Sequence, residues 1–66
     1  MPVIIFEGGG KMTPDKKKEL VLRLTETAAE VTEIAAPAFI IYIHENEYDN
    51  IGVGGKLLTE VLAERD

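Results

Sequence analysis

Residues 1–10 read MPVIIFEGGG, and the pattern of this stretch decides the fold. Val3-Ile4-Ile5-Phe6 is an unbroken β-branched and aromatic run, which predicts a strand apolar on both faces. Gly8-Gly9-Gly10 predicts its end. Pro2 stands at the head of the run, where a sheet tolerates its missing amide hydrogen. Phe39-Ile40-Ile41-Tyr42-Ile43-His44 repeats the pattern and predicts a second strand. Between them, Thr13-Pro14-Asp15 is a helix start: Thr as N-cap, Pro in the first helical position, Asp in the first turn. Leu20, Val21, Leu24, Ala28, Val31 and Ile34 recur at helical spacing, with Lys17, Lys18, Arg23, Glu26 and Glu30 opposite. One amphipathic helix is expected from Pro14 to Ile34, and Pro37 stops it. The Lys16-Lys17-Lys18 run belongs to its wet side.

Strand, helix, strand is a crossover long enough for parallel pairing, with the right-handed βαβ hand expected. A polar turn follows over Glu45 to Asn50, then Ile51-Gly52-Val53-Gly54-Gly55. Leu57, Leu58, Val61 and Leu62 in the tail, Lys56 to Asp66, predict a short helix.

A chain of 66 residues is one domain. Domains this small bury only about 60% of the surface their unfolded chain exposes, and usually need a staple. Cys is absent and His44 is the single imidazole, so disulfides, thiolate metal sites and a His-rich zinc site are excluded. At 45% hydrophobic, the chain has more apolar residues than one small core hides. Self-association is the remaining staple, so the sheet is expected to extend through a neighbouring subunit, in an obligate oligomer built from dimers.

Net charge is −5 and the pI is near 4.7, which argues against nucleic acid and anionic membrane surfaces. No apolar stretch approaches the roughly 20 residues of a membrane span. The start has no basic region of a signal peptide, so a cytoplasmic protein is the expectation. Ser and Cys are both missing, which excludes serine and cysteine nucleophiles.

The glycine clusters do not fit phosphate loops. Gly55-Lys56 is followed by Leu57, and Asn50 stands where a P-loop needs Gly. Both clusters read as tight turns at positive φ. His44, with Glu45, Glu47, Tyr48 and Asp49 close in sequence, reads as a solvated turn as much as an acid/base site.

Pro2 carries a second reading. Aminopeptidases remove an initiator methionine when a small residue follows, and the product is a secondary amine fixed on a rigid strand. A free α-amine has a reference pKa near 7.7–8.0, and a proline amine is intrinsically more basic. Apolar burial or a nearby cation lowers such a pKa toward the value that proton transfer needs. With Met1 retained, the same nitrogen is a tertiary amide and no base.

Pro2 with its apolar strand, Glu7-Gly8, Thr13-Pro14-Asp15-Lys16-Lys17, the apolar strand after Pro37, and Asn50-Ile51-Gly52-Val53-Gly54-Gly55-Lys56 together resemble the 4-oxalocrotonate tautomerase family. The resemblance runs over nearly the whole chain, so residues 1–66 read as a single tautomerase-like domain of α+β class. It implies a β-α-β unit with parallel strands, a glycine-rich C-terminal hairpin and a homohexamer, a trimer of dimers. It also implies a cofactor-independent isomerase in which Pro2 shuttles a proton between the enol and keto forms of a 2-oxo acid. Such a resemblance further implies two substrate-holding arginines and a water-excluding aromatic, at positions where this chain has Met12, Ile40 and Ile51. Losing the arginines removes bidentate carboxylate partners and weakens the expected activity. Lys11 offers a point charge beside the first position. Tyr42 and His44 share the strand face of Ile40 and offer hydrogen bonds. The expected substrate contacts are therefore Lys11, Ile40, Tyr42 and Ile51, and a smaller or less charged enol fits better than a dicarboxylate.

Six residues of strand separate Pro2 from Gly8, about 20 Å. The glycine loop is thus expected to reach a neighbour's Pro2, not its own. Two alternatives share the scaffold: a non-catalytic oligomer that binds a small molecule, and a proline-dependent lyase or dehalogenase with Glu7, Glu45 or Glu47 as second acid.

Overall fold

A computed structural model of the chain describes residues 1–65. Strand β1 (Val3–Gly9) leads through a loop into helix α1 (Pro14–Thr32), and a short 3₁₀ turn at Ala36–Ala38 precedes strand β2 (Ile40–Asn46). A second 3₁₀ turn, Tyr48–Asn50, introduces the hairpin of β3 (Gly52–Val53) and β4 (Lys56–Leu57), and helix α2 (Leu58–Ala63) closes the chain. The last residue of the expected tail helix, Asp66, lies outside the described residues.

β1 and β2 pair in parallel, in a register from Val3↔Ile40 through Glu7↔His44 to Gly9↔Asn46. The β-α-β unit is therefore as the sequence predicts. Several boundaries differ. β1 continues through Gly8 and Gly9, because β2 supplies partners for both. Of the glycines, Gly10, Gly54 and Gly55 take positive φ, and Gly8 and Gly9 do not. Gly8 is needed for another reason: a Cβ there would stand 2.7 Å from Cε1 of Phe6, whose ring lies over it. A Cβ at Gly9 would meet Ile51 Cδ1 at 3.1 Å and Tyr48 Cε1 at 3.3 Å. β2 takes in Glu45 and Asn46, which the sequence suggested were turn.

α1 starts as expected: the Thr13 hydroxyl accepts from the Lys16 amide at 3.3 Å, and Pro14 opens the first turn. It ends at Thr32, two residues before Ile34, because Glu33 turns into the left-handed region at φ 59°. Its half-buried stripe is Lys17, Leu20, Leu24 and Ala28, one face at three-to-four spacing. Lys17 was expected on the wet side; it opens the inner stripe instead, because a carboxylate on β2 faces it.

Sheet faces alternate strictly. Ile4, Phe6, Ile41 and Ile43 are half-buried, while Val3, Ile5, Ile40 and Tyr42 are exposed on the opposite face, Ile5 at 58%. The strands are thus covered on one side, not both as their composition suggested, because this chain has one long helix to lay on them. Among the described residues none is fully buried. The radius of gyration is 15.5 Å, against about 11 Å for a compact chain of this length. The hairpin and α2 pack on the Tyr48–Asn50 turn, and the Leu58 amide donates to the Ile51 carbonyl at 2.7 Å. The chain reaches 45 Å in its longest direction, an extended shape with no closed core among the described residues. Among the described residues no helix is long and apolar enough to cross a membrane.

Candidate active site

Pro2 lies just ahead of β1. Its carbonyl accepts a hydrogen bond from the Ile40 amide at 3.0 Å. This bond extends the parallel ladder by one residue and uses the carbonyl, the one backbone hydrogen-bonding group proline keeps. Pro2 is half-buried, whereas Met1 is 88% exposed. The bond brings Pro2 and Ile40 together at one end of the sheet. Tyr42 follows on the Ile40 face, opposite Ile5, with its ring 6.2 Å from that of His44.

Lys11 and Ile51 sit at the other end. Ile51 packs over Gly9, and Lys11 lies in the loop after Gly10. A strand of seven residues separates them from Pro2 of the same chain. One chain therefore assembles the five expected site residues in two groups, Pro2, Ile40 and Tyr42 at one end and Lys11 and Ile51 at the other.

Two polar clusters occupy the second end. On the open face, the His44 Nδ1 is 3.0 Å from Glu7 Oε2, and the Asn46 amide donates to Glu7 Oε1 at 3.2 Å. A carboxylate has no hydrogen to give, so Nδ1 donates. Both bonds favour the charged carboxylate and hold the Glu7 pKa below its ordinary value, His44 contributing most. On the helix-covered face, Glu45 pairs with Lys17 at 2.6 Å and accepts the Met12 amide at 2.5 Å. These contacts lower its pKa, the Lys17 bond foremost. Glu45 lines a cavity of about 140 Å³ with Phe6, Gly8, Gly9, Gly10 and Met12.

The sequence placed His44 beside Glu45 and Glu47; the structure pairs it with Glu7. Neighbours on a strand point to opposite faces, so His44 and Glu45 diverge. The Glu7–His44 and Glu45–Met12 contacts span 37 and 33 residues. The only earlier signal for either was the strand register, which composition leaves open.

The family model for tautomerase enzymes matches residues 2–61. The chain belongs to the tautomerase family. Its match opens at Pro2, the residue at the head of the parallel pair. Solved structures agree with this membership. DmpI from Archaeoglobus fulgidus is 46% identical, superposes with a TM-score of 0.77, and the alignment covers 88% of this chain and 98% of that one. A 4-oxalocrotonate tautomerase homologue is 30% identical with a TM-score of 0.84, covering 91% and 95%. A heterohexameric 4-oxalocrotonate tautomerase from Chloroflexus aurantiacus shares the fold at 21% identity and a TM-score of 0.83, covering 92% and 98%. No curated protein matches this tautomerase chain.

Proposed function

We propose that this tautomerase-family protein is a cofactor-independent keto–enol tautomerase acting on a 2-oxo acid or a similar small carbonyl compound. Pro2, freed by removal of Met1, takes the proton from the enol hydroxyl and delivers it to carbon. The observation that carries this reading is the placement of Pro2: half-buried, tied through its carbonyl to Ile40, and followed by an apolar strand. Tethering the carbonyl fixes the ring while leaving the nitrogen out of the ladder. Apolar surroundings disfavour the charged amine and lower its pKa toward working pH. Met1 is exposed, so a processing enzyme can reach it.

The site draws on more than one copy. Lys11 and Ile51 of one subunit meet Pro2, Ile40 and Tyr42 of another, because the strand keeps the two groups apart within a chain. Self-association is supported by the exposed Val3, Ile5, Ile40 and Tyr42 on one sheet face and by the 15.5 Å radius of gyration. The heterohexameric relative makes a hexamer the assembly to test first. Lys11 supplies one point charge for a carboxylate, and Met12 and Ile40 supply none, so a monocarboxylate enol fits better than a dicarboxylate.

Those two apolar residues also favour a second reading, a non-catalytic oligomer that binds a small molecule in the same place. The test is ketonisation of phenylenolpyruvate and 2-hydroxymuconate by the processed protein and by Pro2→Ala, with intact mass confirming methionine removal. Proline-dependent turnover, faster with the monocarboxylate, is the expected result. Equal rates in both proteins would leave the binding reading.

A further inference from the structure

Lys11 stands between two anchored amides. The Gly10 amide donates to the Asn46 carbonyl at 2.9 Å, and the Met12 amide donates to Glu45 Oε2 at 2.5 Å. Both anchors come from consecutive residues at the end of β2. Glu45 is held in turn by Lys17 at 2.6 Å, and its side chain is only 17% exposed. Gly10 takes φ 82°, and the ring of Tyr48 closes over it. The loop from Gly10 to Thr13 is thus laid against β2 at two successive points, with a helix N-cap directly after.

We propose that Glu45 is a positioning residue for substrate recognition: its carboxylate clamps the Lys11–Met12 loop, and, with Glu45 paired to Lys17, Lys11, which has no ion-pair partner among the described residues, meets the substrate carboxylate. The inference rests on the tautomerase reading for the role of Lys11. Glu45 takes no proton and touches no substrate. Its negative charge would otherwise compete for Lys11, whose field already reaches it. Lys17 satisfies that charge from the helix side. Glu45 thereby holds the backbone on one side of Lys11 without neutralising the ammonium. A carboxylate that is accepting a backbone amide and an ammonium together makes charge-assisted bonds, the stronger class.

The clamp predicts a selective defect. In Glu45→Ala the loop loses its anchor, and KM for phenylenolpyruvate rises about 10-fold or more, with kcat little changed, as expected when a binding group is misplaced. KM for the methyl ester of the same enol, which has no carboxylate, stays near the wild-type value. Glu45→Gln keeps an oxygen for the Met12 amide and recovers part of the loss. Hydrogen exchange at the Met12 amide speeds up in Glu45→Ala. Equal KM changes for acid and ester, no KM change in Glu45→Ala, or unchanged Met12 exchange would each overturn the proposal. Far-UV dichroism of both variants separates these outcomes from unfolding. Should the wild type lack proline-dependent turnover, the tautomerase reading fails separately. The clamp is then judged by calorimetric binding of phenylpyruvate and its methyl ester, where weakened acid binding alone in Glu45→Ala supports it and equal binding, or none by the wild type, rejects it.

Discussion

The two ends of the β1–β2 pair differ in chemical character. At the Pro2 end, one backbone bond from Ile40 holds the chain, and the neighbouring side chains Val3, Ile4, Ile40 and Ile41 are all apolar. At the Glu7 end, facing strand residues carry Glu7, His44, Glu45 and Asn46, and their bonds cross from strand to strand and from strand to loop. An amine that must lose its proton near neutral pH is favoured by apolar surroundings. Groups that bind and orient an anion need charge and fixed donors. Within one chain the apolar and the polar end lie about 20 Å apart, the length of the strand. A proposed site that needs both must bring together opposite ends of different copies.

The largest effect should come from breaking the apolar end. Pro2→Ala in the processed protein should lower turnover about 10²- to 10⁴-fold, the range for a general base, in stopped-flow ketonisation. Mixing sharpens the comparison. Pro2→Ala and Lys11→Ala subunits, each impaired alone, should recover about a quarter of the wild-type rate when unfolded and refolded together at equal amounts, since a site drawing on two copies is intact in that share of random pairings. No recovery would put both residues in one subunit's site.

Next comes the open sheet face. Ile5→Lys places a charge where a neighbour is proposed to pack, and fully burying such a side chain contributes about 1.5–3 kcal/mol. Sedimentation should show smaller species, and activity should fall with assembly. A variant that keeps its mass would show that this face is free.

The polar end gives smaller, pH-dependent effects. The Glu45 pKa is lowered below its ordinary 4.5, so its pairing stabilises the fold above the unfolded carboxylate value. That contribution is lost as pH falls through the lowered folded value. Glu45→Gln should therefore melt below the wild type at neutral pH, and the two curves should converge below pH 4.5. Glu7→Gln should follow the same direction with a smaller change in Tm, because the Glu7 side chain is 62% exposed and water screens its pairing with His44.

Much of the fold was legible because its signals are local. β-branched runs, a Thr-Pro-Asp cap and a 3.6-residue repeat each depend on neighbours in the chain, and they placed β1, α1 and β2 with errors of only a few residues. Those errors have tertiary causes. Gly8 and Gly9 entered the strand because β2 pairs with them and the Phe6 and Tyr48 rings lie over them. Lys17 moved to the inner face because Glu45 waits there. Of the candidate site, Pro2 was legible from its position at the head of a strand, and Lys11 from its place beside a position where the resemblance leads one to expect an arginine.

By itself, then, the sequence determined the order of elements, the apolar character of both strands, an excess of apolar residues over what one small core hides, and the proline at the strand head. Only the tertiary structure decided the parallel register, and with it that His44 meets Glu7 while Glu45 reaches Met12 and Lys17. The reason is physical. Propensity and periodicity act over a few residues, whereas a register is chosen by side chains more than thirty residues apart in sequence, once two strands lie side by side.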